Sequence, residues 1–221
     1  MKLKYFDAHC HITHIGQTIL GIGAITNAAT FSDWTDIISV SKQGADIYGA
    51  LGVHPWYLAD VPADWDRVLE KHLIENPALM VGEIGLDKHT PDPESQIYYF
   101  KRQFDIASHL QRGVIIHCVG MWGYLLDFLA KYSGKLPPFI MFHRYSGAVA
   151  NIPRLADKYN AYFSYCNPDD RRILSTPLDR ILSESDASDL ACISTIADKI
   201  ALVLDTETTT FINNAQRMLK K

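Results

Sequence analysis

Cysteine is scarce in this chain, and the few cysteines are scattered. The 221 residues contain four, and no two of them form a C-x-x-C pair. They are Cys10, Cys118, Cys166 and Cys192. This pattern argues against a disulfide framework and favours free thiols in a reducing compartment.

Long hydrophobic runs are also absent. No apolar stretch approaches the roughly 18 residues of a membrane-spanning helix, and no apolar segment precedes the first predicted strand. Low-complexity tracts, linkers and short repeats are missing as well. We therefore expect a cytoplasmic protein without membrane contact.

An excess of positive charge is the third missing feature. Lysine and arginine total 21 against 25 aspartate and glutamate residues, which gives a formal net charge of −4. This balance argues against a large basic surface for gripping duplex nucleic acid. It leaves phosphate substrates open, because bound metal ions supply positive charge of their own.

What is present is enough apolar material for a folded domain. Hydrophobic residues make up 48% and charged residues 21% of the chain, which excludes a largely disordered protein. A length of 221 residues predicts one domain over 1–221, near the small end for a (β/α)₈ barrel.

Short apolar runs recur along the chain and alternate with longer stretches of helical period. The predicted strands are Lys4–His9, Leu20–Ile25, Asp46–Val53, Leu79–Ile84, Val114–Cys118, Phe139–His143, Ala161–Tyr165 and Arg180–Ser183. The predicted helices are Ser32–Lys42, Ala63–Glu75, Pro93–Gln111, Trp122–Tyr132, Ala148–Lys158 and a last pair after Asp189. Eight such units predict a compact (β/α)₈ TIM barrel with a parallel sheet, and the short first connection leaves a very short or absent first helix.

The first strand carries the motif Asp7-Ala8-His9-Cys10-His11. Alternation along a strand would point Asp7, His9 and His11 the same way. Imidazole nitrogens and carboxylate oxygens suit divalent metal ions. We interpret this stretch as part of a metal site.

Further polar residues lie inside or at the ends of later predicted strands, where the active sites of TIM barrels are built. Together with the two histidines of the first strand, the candidate site residues are His9, His11, His54, Glu83, His117, His143 and Asp186.

These residues and their neighbours resemble the TatD family of metal-dependent hydrolases. Gly82-Glu83-Ile84-Gly85-Leu86-Asp87 is the most specific of the matching segments. The others are Phe6-Asp7-Ala8-His9-Cys10-His11, Gly52-Val53-His54-Pro55, Ile116-His117, His143 with Ser146-Gly147, and Glu184-Ser185-Asp186. They follow the family order across nearly the whole chain.

The resemblance implies two divalent metal ions, of which Zn²⁺, Mn²⁺ and Mg²⁺ are the candidates. His9 and His11 would hold one ion with Asp186 beside it, His117 and His143 the other, and Glu83 would bridge them. The implied reaction is phosphodiester hydrolysis on DNA. Glu83 and Asp186 are the expected catalytic residues, with Asp186 as general base.

We expect His54 and Arg144 to contact the substrate. The family usually has an arginine two residues after the histidine that corresponds to His117, but this chain has Val119 there. Arg144 is interpreted as its replacement. The family's proline after the last aspartate is Ala187, and its long loop there has no counterpart. Asp87 and Glu184 are interpreted as structural or ligand-orienting residues. Four aromatic residues lie in predicted loops, namely Trp56, Tyr57, Trp122 and Tyr145. We interpret them as residues that pack the loops rather than as rings that stack on a nucleobase.

Two alternatives stay open. The same metal ligands would serve an amidohydrolase or a small phosphoester hydrolase. A metal-binding protein that has lost catalysis would also keep these ligands. The expected substrate is DNA or another small phosphodiester, and the expected state is a monomer or a weak homo-oligomer.

Overall fold

The computed structural model describes residues 2–44 and 46–220, and its centre is one eight-stranded sheet. Each strand pairs in parallel with the next in chain order. The strands are β1 (Tyr5–Cys10), β2 (Ile22–Asn27), β3 (Ile47–Leu51), β4 (Met80–Asp87), β5 (Val114–Val119), β6 (Ile140–Phe142), β7 (Ala161–Tyr165) and β8 (Ile181–Ser183). The predicted (β/α)₈ barrel is confirmed.

Backbone hydrogen bonds bring the last strand back to the first. Asp186 N–H donates to the carbonyl of His9 at 2.9 Å, and His11 N–H donates to the carbonyl of Ala187 at 2.8 Å. These bonds lie beyond the C-terminal end of β8, where they place Asp186 directly beside the first strand.

The inside of the barrel is filled by apolar side chains from every strand. Phe6 and Ala8 of β1 meet one side chain from each of the others, namely Ile25, Ala50, Met80, Ile115, Met141, Tyr162 and Leu182. Ile212, Ala215 and Met218 of the last helix join this cluster. The barrel is therefore a packed core, and its open space lies above the strand ends.

Helices cover the outside of the sheet. They are α1 (Trp34–Gln43), α2 (Trp65–Glu75), α3 (Pro93–Leu110), α4 (Trp122–Lys131), α5 (Ile152–Tyr159), α6 (Ile193–Val203) and α7 (Thr209–Leu219). Only a 3₁₀ turn over Ile15–Gln17 joins β1 to β2, which confirms the absence of a full first helix. Helix α5 begins later than the predicted Ala148, because Val149–Asn151 forms a 3₁₀ turn and Pro153 occupies the first turn of the helix.

Within the described residues, no helix has both the length and the apolar character needed to cross a membrane. The cytoplasmic location, the oligomeric state and the single-domain extent of 1–221 stay predictions.

Candidate metal centre

Glu83 on β4 is the carboxylate around which the predicted ligands gather. Its Oε2 lies 3.2 Å from His9 Nε2 and 3.6 Å from His11 Nε2. Its Oε1 lies 3.0 Å from both His117 Nδ1 and His143 Nε2. Oε2 thus faces the two histidines of β1, while Oε1 faces His117, His143 and, at 3.3 Å, His54 Nε2.

Asp186 lies beside His9 and His11. Its Oδ1 lies 3.4 Å from His11 Nε2 and 3.6 Å from His9 Nε2. Three sets of donor atoms lie close enough together to hold a metal ion: His9, His11 and Glu83; His9, His143 and Asp186; and His54, Glu83 and His117. Nitrogen and carboxylate oxygen at these separations suit a divalent cation.

An irregularity in β1 brings its two histidines to the site. Between Asp7 and Cys10 the strand has one residue more than β2 opposite it. The alternation therefore changes phase, and His9 and His11 continue on the side occupied by Ala8. The expectation that Asp7 faces the same way is wrong: its Oδ1 accepts hydrogen bonds from the backbone N–H groups of His9 (3.2 Å) and Ser185 (2.9 Å).

The outer nitrogens of three imidazoles face acceptors. His11 Nδ1 lies 2.9 Å from the carbonyl of Asn27, and His117 Nε2 lies 3.1 Å from Asp87 Oδ2. His143 Nδ1 lies 3.5 Å from Glu184 Oε2. In the neutral form of each ring, the form that binds a metal ion, a proton on the outer nitrogen would leave the lone pair of the other nitrogen directed towards Glu83. Asp87 and Glu184 therefore lie where they would orient His117 and His143, and this role stays a prediction.

His54, in the loop after β3, has the opposite arrangement. Its Nδ1 accepts a hydrogen bond from the backbone N–H of Trp56 at 3.2 Å. In the neutral ring the proton then sits on Nε2, which lies 3.3 Å from Glu83 Oε1. His54 is thereby set as a hydrogen-bond donor at the site.

Burial and the imidazoles control the charge of the cluster. Burial alone would raise the pKa of Glu83, but the surrounding imidazoles, led by His143 and His9, lower it well below its usual range. Burial lowers the pKa of His9, and the neighbouring His143 adds to this effect. Burial opposes the ionisation of Asp186, yet the hydrogen bond from His11 and the charges of His143 and His9 keep its pKa below the usual range.

Arg144 reaches the cavity from the loop after β6. Its Nη1 lies 2.8 Å from Asp186 Oδ2, and its backbone N–H donates to Glu184 Oε1 at 2.8 Å. Sequence reasoning identified the residue and missed this ion pair, because no spacing pattern links two loops on different strands.

The cavity over the strand ends has a volume of about 870 Å³. The described residues that line it include Val119 and a single arginine or lysine, Arg144. Trp122 and Tyr145 pack against each other at 4.8 Å, as the packing interpretation expected. Tyr145 lines the cavity but is buried, whereas Trp56 and Tyr57 line it with 58% and 43% of their surfaces exposed.

The sequence of the chain matches a known protein family and several named proteins. The family model described as TatD related DNase matches residues 6–195. The chain is 30% identical over 83% of its length to the human 3'-5' RNA nuclease TATDN2, covering 28% of that protein. It is 28% identical over 68% of its length to the 3'-5' ssDNA/RNA exonuclease TatD of Erwinia amylovora, covering 62% of that protein.

Among solved structures, the chain is similar to the TatD homologue YjjV of Escherichia coli K12. That match covers 100% of both chains with a TM-score of 0.85 and 21% sequence identity, and it establishes the shared fold. With the family model covering most of its length, the chain belongs to the TatD-related DNase family.

Proposed function

We propose that this protein is a metal-dependent hydrolase that cleaves phosphodiester bonds in DNA with two divalent ions. The observation that carries the proposal is the position of Glu83: its Oε2 faces two imidazoles of β1, and its Oε1 faces those of His117, His143 and His54, all at 3.0–3.6 Å. A carboxylate shared in this way suits a two-metal phosphodiesterase site. The nuclease names of the two relatives agree with it.

In this proposal, His9, His11 and Asp186 would hold one ion, His117 and His143 would hold the other, and Glu83 would offer an oxygen to each. Bound ions neutralise phosphate charge and make a coordinated water acidic enough to attack at neutral pH. Zn²⁺, Mn²⁺ and Mg²⁺ all accept this donor set, so availability selects the native metal.

The chain's own polar groups then handle the substrate and its protons. Asp186 stays ionised beside the imidazoles and would accept a proton from water at Oδ2, the oxygen that now faces Arg144. His54 donates its Nε2–H to a phosphate oxygen. Arg144, more than half exposed, turns from Asp186 to a second phosphate oxygen.

A second candidate uses the same residues on a smaller substrate. The end of β5 carries Val119, and Arg144 is the single arginine or lysine among the described lining residues. Sparse positive charge favours a small phosphoester or an amide over a long polyanion.

A substrate panel separates the candidates. The purified protein is loaded with Mg²⁺, Mn²⁺ or Zn²⁺ and given single-stranded DNA, a generic phosphodiester, a phosphomonoester and a dipeptide. Turnover of the two phosphodiesters supports the first candidate, and turnover limited to the monoester or the dipeptide supports the second. Bound metal with no turnover on any of the four would favour a protein that has lost catalysis.

A further inference from the structure

Two large aromatic side chains lie exposed in the cavity beside the buried charged cluster. Trp56 and Tyr57 belong to the 3₁₀ turn Pro55–Tyr57 that follows β3. Their exposed fractions are 58% and 43%, and both line the cavity. No role in the proposed chemistry accounts for this apolar surface.

Trp56 is held in a fixed orientation. Its indole Nε1–H donates to Asp87 Oδ2 at 2.8 Å, the same oxygen that faces His117 Nε2. Its ring meets His54 edge to face, with centroids 4.9 Å apart at 85°, and lies 6.0 Å from the ring of His117. A ring fixed in this way loses little further conformational freedom when a ligand stacks on it.

The charges of the cavity favour stacking as the source of substrate affinity. Arg144 is the single arginine or lysine among its described lining residues, the proposed reaction already assigns it to the reacting phosphate, and the chain carries a net charge of −4. Phosphates that flank the reacting bond therefore find few cations. Proteins that bind single strands obtain sequence-tolerant affinity from aromatic rings that stack on bases.

We propose that Trp56, with Tyr57 beside it, forms a subsite for a nucleobase of single-stranded nucleic acid. The base stacks on the indole ring while its adjoining phosphate lies at the carboxylate–imidazole cluster around Glu83. The inference rests on the proposed phosphodiesterase function and adds the substrate feature that the site recognises. A duplex keeps its bases stacked on one another, so this subsite selects single strands or frayed ends.

The test compares a short oligothymidylate with an oligonucleotide of equal length that lacks bases. Trp56→Ala is expected to raise KM for the base-bearing strand about tenfold, the size of effect that stacking on one base supports, with KM for the abasic strand unchanged. Trp56→Phe keeps a ring and loses the N–H, so it should keep most of the preference for bases. Tyr98→Ala is the matched control, because Tyr98 is 59% exposed on α3 and does not line the cavity.

A second readout does not depend on turnover. Thymidine 5'-monophosphate, which has no phosphodiester bond to cleave, should quench the tryptophan fluorescence of the metal-loaded wild type and leave that of Trp56→Phe unchanged. Equal quenching in both, or none in the wild type, would overturn the subsite.

The failure of the subsite is distinguishable from failure of the proposed function. A wild type that cleaves neither oligonucleotide with any of the three metals contradicts the function. A wild type that cleaves both, together with a Trp56→Ala variant whose KM changes equally on both or on neither, contradicts the subsite alone.

Discussion

Arg144 Nη1 lies 2.8 Å from Asp186 Oδ2, while Asp186 Oδ1 faces the imidazoles of His9 and His11. The aspartate thus offers one oxygen to the metal centre and the other to a guanidinium. Arg144 adopts a positive φ of 41°, a conformation uncommon for residues other than glycine. The pair joins the loops after β6 and β8 at the rim of the cavity.

Replacing Arg144 by alanine should weaken substrate binding. We expect KM for a phosphodiester to rise about tenfold, because the variant loses one charge-assisted hydrogen bond to phosphate. Steady-state kinetics measure this, with Arg154→Ala on α5 as an exposed control outside the cavity. An unchanged KM would contradict a phosphate contact for Arg144.

Replacing Glu83 by glutamine should reduce metal occupancy. A neutral amide lacks the second anionic oxygen that faces His117 and His143, so we expect the bound metal to fall from two ions to at most one per chain. The phosphodiesterase rate should fall at least about 100-fold. Elemental analysis after dialysis measures the occupancy, with Glu94→Gln at the exposed start of α3 as control. Retention of two ions would exclude the bridging role.

Replacing Asp87 by asparagine should disturb His117 without removing a ligand. Asp87 Oδ2 faces His117 Nε2 at 3.1 Å and accepts from Trp56 Nε1 at 2.8 Å. Loss of its charge should reduce metal affinity about 10- to 100-fold, as for other groups that orient metal-bound histidines. Titration with a competing chelator gives the affinity. If Asp87→Asn binds metal as tightly as the wild type, Asp87 does not orient His117 for metal binding.

Asp7 should make the metal-free protein less stable as the pH rises. Burial raises its pKa to about 7, whereas an aspartate in an unfolded chain titrates near 3.9. Between these values the folded state holds a proton that the unfolded state has released. The contribution of Asp7 to the free energy of unfolding therefore falls with pH by up to ~1.4 kcal/mol per pH unit in this window, and it is constant outside it.

Asp7→Asn removes this titration and keeps an oxygen for the N–H groups of His9 and Ser185. Urea unfolding with chelator present, at steps from pH 4 to pH 8, should show the variant gaining stability relative to the wild type up to pH 7. Parallel pH profiles for the two proteins would contradict a protonated Asp7.

The sequence was sufficient for the fold and for the candidate ligands. Parallel strands lie side by side in a barrel and end on one face, so polar residues inside neighbouring strands, such as Glu83 and His117, were expected to converge. The orientation of Asp7 was mispredicted, because the extra residue in β1 leaves no mark in the spacing. The Arg144–Asp186 pair and the anchoring of Trp56 by Asp87 also escaped prediction, since each depends on how separate loops fold over the cavity.

The most direct test of the account is the hydrolysis of labelled single-stranded DNA and of a generic phosphodiester by the wild type and by Asp186→Asn. Both proteins are assayed with added Mg²⁺, Mn²⁺ or Zn²⁺ and with chelator, and Asp36→Asn on the exposed face of α1 is the control. We predict activity that requires metal and falls at least about 100-fold in Asp186→Asn. Absence of activity on both substrates despite bound metal, or an Asp186→Asn variant as active as the wild type, would contradict the proposed mechanism.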